Sequence, residues 1–131
     1  MTYHKTILIL EDNLHVVSLL LEKLWELEDD LPNELSVMVL TNHQQVEDYI
    51  NSNPKANFDV ILLDRDCKLN RSFHVVDLER LGFEKVISIS TVPEYNQEAF
   101  SRGVTQAVEK DLRNLDLFVD KVIIEIAQII R

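Results

Sequence analysis

Four short apolar runs punctuate the chain: residues 6–10 (TILIL), 36–40 (SVMVL), 58–63 (FDVILL) and 86–90 (VISIS). A weaker fifth lies at 105–108. Each of the four is largely continuous rather than alternating, and rich in β-branched residues. That pattern predicts strands buried on both faces, as in a parallel sheet. Helical spacing fills the intervals. Residues 14–27 place Val17, Leu20, Leu21, Leu24 and Leu27 on one face. A short segment at 43–51 turns Val46, Tyr49 and Ile50 inward, and another at 72–81 stops at Gly82. Pro93 suits a first helical turn, and the segment through Tyr95, Ala99 and Phe100 ends at Gly103. The last helix, 115–130, is the most apolar. Its inward residues are Leu115, Phe118, Val119, Val122, Ile126, Ile129 and Ile130, while Leu117 and Ile124 fall on the opposite side. Tyr49, Phe58, Phe73, Phe100 and Phe118 read as core.

A strand followed by a helix, five times over, implies an α/β fold. We expect a five-stranded doubly wound parallel sheet in the flavodoxin-like order 2-1-3-4-5, with five helices on its two faces. The 131 residues suffice for one domain with a single core and leave almost nothing for an effector domain.

Charge narrows the partners. Thirteen Lys and Arg stand against 23 Asp and Glu, a net charge of −10. Such a chain does not offer the basic face that nucleic acid or anionic lipid requires. The only glycines, Gly82 and Gly103, are far apart, which excludes a glycine-rich nucleotide loop. A single cysteine, Cys67, excludes an internal disulfide and fits a reducing compartment. No signal peptide precedes the first strand, and no apolar stretch reaches the ~18 residues of a membrane span. A cytoplasmic location is therefore expected. His4, His15, His43 and His74 lack the spacing of a metal site or a triad.

The acidity is concentrated. Residues 22–34 hold six acids against Lys23 alone, a solvated helix end and loop. The second group is Glu11, Asp12, Asp64 and Asp66, which follow the first and third strands. Ser90 and Thr91 end the fourth strand, and Glu109 and Lys110 end the fifth. A parallel sheet brings all these ends to one edge, where ligands bind in such folds. Clustered carboxylates repel one another, and a hard cation such as Mg²⁺ relieves that repulsion through oxygen ligands. One carboxylate can also attack a phosphoryl group, with the metal, the Lys110 ammonium and the Ser90 hydroxyl as countercharge.

These residues resemble the receiver domain of bacterial two-component response regulators over nearly the whole chain. ILILEDN (7–13) is similar to the family's first strand with its acidic pair, and FDVILLDRD (58–66) to the third strand with its phosphoacceptor. VISISTVPEYNQEAFSRGV (86–104) is similar to the fourth strand, loop and fourth helix. Within it, PEYNQEAF is close to receivers of the LytTR-regulator type. Asp12, Asp64, Ser90 and Lys110 are separated by 52, 26 and 20 residues, which puts Lys110 at the family lysine.

The resemblance implies that Asp64 accepts the phosphoryl group. It implies that Mg²⁺ is held by Asp12, by Glu11 through water, by Asp64 and by the main-chain carbonyl of Asp66. Ser90 takes the place of the switch hydroxyl and Lys110 that of the phosphoryl-binding lysine. The donor would be a histidine kinase or phosphotransfer protein, and the output would go to a separate protein. Leu117 and Ile124 fit a homodimer face on the fourth and fifth helices. A receiver turns over no separate substrate, so we expect no enzyme beyond self-catalysed phosphorylation and slow autodephosphorylation.

Four departures stand out. Cys67-Lys68 replaces Met-Pro, with a shortened segment up to Ser90, and Asp111 replaces the proline after Lys110. Without proline a cis bond at 110–111 costs about 3 kcal/mol, so trans is expected. Ala107 stands where the family has the switch aromatic, and Thr91 where it has Ala or Gly. They leave open a pseudo-receiver, an interaction module that works unphosphorylated. A haloacid-dehalogenase-type phosphatase could use Asp64-Arg65-Asp66 as its motif, but there the motif leads and the acidic pair comes last.

Overall fold

The computed structural model describes residues 3–66, 73 and 75–131. Its five parallel strands are β1 (Tyr3–Leu10), β2 (Asn33–Leu40), β3 (Val60–Asp64), β4 (Val86–Ser90) and β5 (Gln106–Glu109). They lie in the order β2-β1-β3-β4-β5, as expected. The helices are α1 (Leu14–Asp29), α2 (His43–Gln45), α3 (Leu78–Leu81), α4 (Pro93–Ser101) and α5 (Leu115–Ile130). A π-helical segment, Val46–Asn51, extends α2, and a 3₁₀ turn, Phe83–Lys85, leads into β4. Of the predicted 72–81 helix only Leu78–Leu81 is helical: 73, 75 and 76 lie in turns and bends and Asp77 caps the helix, while 72 and 74, like the Cys67-Lys68 departure, lie outside the described residues.

Every residue of β3 and β4 is buried. Alternate side chains feed two cores. On one face Ile7, Ile9, Leu62, Ile87 and Ile89 meet Val16 and Leu20 of α1 and Phe118, Val119 and Val122 of α5. On the other, Leu8, Leu10, Ile61 and Leu63 meet Val46, Ile50, Leu81 and Ala99. The continuous apolar run of a parallel strand thus serves both faces at once.

The run at 36–40 departs from this rule. As part of β2 it is the edge strand, and Val37 and Met38 are exposed. Three residues expected inward also point out. Tyr49 is 62% and Phe100 47% exposed, and Leu21 lies on the outer side of α1. The π-helical winding of 46–51 alters the angular spacing that put Tyr49 beside Val46 and Ile50. Leu21 and Phe100 join neither core. Leu117 and Ile124 are exposed on α5, as expected.

Local chemistry sets the helix ends. The Asn13 side chain accepts from the amides of His15 (3.0 Å) and Val16 (3.2 Å), capping α1 right after the acidic pair. Asn114 caps α5 through the Leu117 amide at 3.2 Å. Pro93 opens α4, and Gly103 turns the chain out of it at φ +115°. A Cβ on Gly103 would stand 3.1 Å from the Phe83 ring. Gly103→Ala is therefore expected to cost about 1–3 kcal/mol from backbone strain and contact together. A lowered urea midpoint at unchanged m-value is the readout, and an unshifted midpoint would contradict it.

Among the described residues no helix is long and apolar enough to cross a membrane. None of them has a cis peptide bond, so the 110–111 bond is trans.

Candidate functional site

The strand ends converge as the topology requires. Asp64 is the last residue of β3 and pairs in register with Ile89, while Ser90 pairs with Glu109. The Lys110 amide donates to the Ser90 carbonyl at 2.8 Å, which holds the end of β5 against β4. Glu11 follows β1, and its Oε1 accepts from the Asn13 amide at 3.2 Å.

Lys110 lies at the centre. Its Nζ donates to Glu11 Oε1 at 2.9 Å and Oε2 at 3.1 Å, and to Asp64 Oδ1 at 3.4 Å. Asp66 Oδ2 is 3.8 Å away. Glu11 and Asp64 are fully buried, and Lys110 is only 6% exposed. Asp64 Oδ1 also accepts from the Asp66 amide at 2.9 Å. Its other oxygen, Oδ2, is buried and accepts no hydrogen bond from the described residues.

Electrostatics follow from this crowding. Burial, and then the Glu11 charge, push the Asp64 carboxyl up to about 8, against the pull of Lys110. Burial likewise raises Glu11, although Lys110 opposes it. For Lys110 burial lowers the pKa, but Glu11 and Asp64 together carry it above that of an ordinary lysine. One ammonium thus shares buried carboxylates that it does not fully neutralise.

The donor set suits a hard divalent cation. Glu11, Asp12 and Asp64 can each offer an oxygen, with the three atoms within 4.8 Å of one another. The unshared Asp64 Oδ2 is the second sign of fit, because a buried carboxylate oxygen needs a partner. The Asp66 carboxylate is not in this group. It accepts from Ser90 Oγ at 2.7 Å and from the Thr91 amide at 3.0 and 3.1 Å. The expected contribution of Asp66 to a metal was through its main chain, which leaves the side chain free for this role.

Two polar connections were not foreseen. Arg65, 1% exposed, donates to Glu98 of α4 across 33 positions. Ser88 Oγ donates to Asn96 Oδ1 at 2.7 Å, and Asn96 Nδ2 donates to the Val108 carbonyl at 3.2 Å. The second was findable. Ser88 is a polar residue on an inward position of β4, and Asn96 lies three residues before buried Ala99. Arg65 gives no such signal, because a charged residue after a strand reads as exposed loop. Ala107, where the resemblance expects a ring, is half-buried and registers with Ser88.

Comparisons with known proteins bear on the fold. No protein-family model matches the chain, and no curated protein matches it. Solved structures do. The bacteriophytochrome response regulator AtBRR is 24% identical, with a TM-score of 0.62 over 94% of this chain and 92% of that one. The phosphorylated cyanobacterial phytochrome response regulator RcpA is 22% identical, with a TM-score of 0.69 over 95% and 91%. The Mn²⁺-bound form of response regulator Rcp1 is 17% identical, with a TM-score of 0.66 over 90% and 91%. Strand order, helix placement and these likenesses together give the chain the fold of a response-regulator receiver domain.

Proposed function

We propose that this domain accepts a phosphoryl group on Asp64 from the phosphohistidine of a histidine kinase or phosphotransfer protein. The observation that carries the reading is the buried Asp64 carboxylate at the end of β3. It is held by Lys110 on one oxygen and has the other unshared among the described residues, beside Glu11 and Asp12. Glu11, Asp12, Asp64 and the main-chain carbonyl of Asp66 would hold Mg²⁺. The Mn²⁺-bound relative of the same fold supports a divalent ion there. Bound at these oxygens, the ion supplies countercharge to phosphoryl oxygens.

An Asp64 oxygen attacks phosphorus, the phosphorus–nitrogen bond breaks, and its electron pair returns to the imidazole. Lys110, already beside Asp64, partners a phosphoryl oxygen, and burial keeps bulk water from the acyl phosphate. Later attack by water releases inorganic phosphate and restores the carboxylate. The output passes through α4 and the loop before it, and exposed Leu117 and Ile124 offer a homodimer face.

Incubation with acetyl phosphate or phosphoramidate and Mg²⁺ is expected to add one phosphoryl group by intact mass. The adduct should not form when EDTA replaces Mg²⁺, and it should be absent from Asp64→Asn. Thr91 can hinder small donors, so a blank result is repeated with beryllofluoride. No adduct and no beryllofluoride binding would overturn the reading in favour of an unphosphorylated interaction module.

A further inference from the structure

Asp66 is the one acidic residue of the cluster whose carboxylate does not join it. Its two oxygens collect donors instead, the Ser90 hydroxyl at 2.7 Å and the Thr91 amide at 3.0 and 3.1 Å, while the Lys110 ammonium stands 3.8 Å away. Ser90 Oγ in turn accepts from the Val92 amide at 2.9 Å, so the loop from β4 into α4 is organised around this carboxylate. A hydroxyl, a main-chain amide and an ammonium are what a phosphoryl group on Asp64 would need for its oxygens. The first two hold an anion already, and the third stands beside it. The Asp66 amide donates to Asp64 Oδ1 at 2.9 Å, and Lys110 touches both side chains, so the occupied donors adjoin the reacting carboxylate.

We infer that the Asp66 carboxylate is a resident stand-in for the phosphoryl group, holding Ser90, Thr91 and the start of α4 in an engaged arrangement until phosphorylated Asp64 displaces it. The inference rests on the phosphoacceptor reading and adds its regulation. Phosphorylation then exchanges one anion for another at the same donors. Two consequences follow. An incoming phosphoryl group must compete with Asp66, which lowers its apparent affinity. The loop at 90–92 must already be ordered in the resting protein, so a signal cannot come from ordering that loop alone. It must come from where the displaced Asp66 goes.

The sign of one substitution separates this role from a merely structural one. A residue that only shapes the loop would, on removal, spoil the site and weaken anion binding. A competitor would, on removal, strengthen it. Asp66→Ala and the milder Asp66→Asn both retain the main-chain carbonyl expected to reach the metal. Beryllofluoride binding with Mg²⁺ is followed by NMR in wild type and both variants. The expected result is about tenfold tighter binding in Asp66→Ala, with Asp66→Asn between, a difference worth about 1.4 kcal/mol. Without beryllofluoride, the Thr91 amide should exchange faster with solvent in Asp66→Ala, and beryllofluoride should restore its protection. In wild type the same ligand should change that amide little.

Equal or weaker binding in Asp66→Ala, while wild type binds, would overturn this inference and leave the phosphoacceptor reading intact. Binding by neither protein would overturn both. An unchanged Thr91 exchange rate in unliganded Asp66→Ala would show that the carboxylate does not hold the loop, and would overturn the inference whatever the binding.

Discussion

Replacing Lys110 by methionine is expected to destabilise the metal-free domain by about 3–5 kcal/mol at pH 7, the loss typical of breaking a buried ion pair from one side. Methionine matches the length and packing of the stem, so the loss reports the charge. The reason lies in what remains. Glu11 and Asp64 are both fully buried, and Lys110 is the cation between them. Without it Glu11 too is driven to take up a proton, which limits the penalty but makes it depend on pH. The sign is fixed by linkage. Asp64 is already raised from 3.8 to about 8, so the folded state binds more protons than the unfolded one in that window. Stability therefore falls as pH rises from about 4 to 8. In Lys110→Met both carboxylates lose their attraction, and the fall steepens towards two protons, about 2.7 kcal/mol per pH unit. Urea midpoints between pH 5 and 8 give the measurement. Parallel profiles for the two proteins would show that Lys110 is not what draws Glu11 towards its charged form.

The same cluster shows what the chain discloses before folding. Continuous apolar strands announce a parallel sheet, and the sheet dictates that residues after its strands meet at one edge. Glu11, Asp64, Ser90 and Lys110 were therefore legible as neighbours, although 99 positions separate Glu11 from Lys110. Topology carried that step, and no pairwise signal was needed. Burial was less legible. The β2 run has the same composition as the others, but nothing in its residues says that it lies at the edge, with Val37 and Met38 uncovered. A helical period says which residues share a face. It does not say how wide a stripe is covered, and Leu21 and Phe100 stay exposed.

Side-chain direction was the least legible. Asp64, Arg65 and Asp66 are consecutive, yet each goes a different way. Asp64 faces Lys110, Arg65 crosses to Glu98, and Asp66 folds back onto Ser90 and Thr91. Counting charge puts both aspartates in one acidic cluster. The chain leaves the regular strand after Asp64, so alternation no longer predicts where the next residues point. The Arg65–Glu98 and Asp66–Ser90 contacts join residues from separate elements, 33 and 24 positions apart, and only tertiary packing decides them. They also bear on the absent ring at Ala107. The contacts from the ends of β3 and β4 to α4 are polar here, buried Arg65 to half-exposed Glu98 and buried Ser88 to buried Asn96.

Asp64→Asn is expected to stabilise the domain in EDTA and to reverse its rank against wild type when Mg²⁺ is added. In the metal-free protein Asp64 is disfavoured as an anion, first by burial and then by Glu11, and Lys110 only partly compensates. Asparagine keeps the shape and carries no charge. The expected gain is about 1–3 kcal/mol at pH 8, within the range found when buried charges are replaced by neutral groups. Its pH dependence has a definite sign. Near pH 4 the wild-type carboxyl is protonated in the native state and costs little, so the gain vanishes. It grows as pH rises towards 8 and levels off above, where the native carboxyl is ionised. A divalent cation acts in the opposite direction, because it binds the ionised form. At a hundredfold excess over its Kd it stabilises wild type by about 2.7 kcal/mol. Asp64→Asn has lost one of the three grouped oxygens and should gain much less. Thermal melts of the two proteins in EDTA and in Mg²⁺, at pH 5 and pH 8, test every part. A variant less stable than wild type in EDTA at pH 8 would mean that the fold does not hold Asp64 as a strained anion. A variant that gains as much from Mg²⁺ as wild type would place the cation away from Asp64, and so away from the carboxylate proposed to take the phosphoryl group.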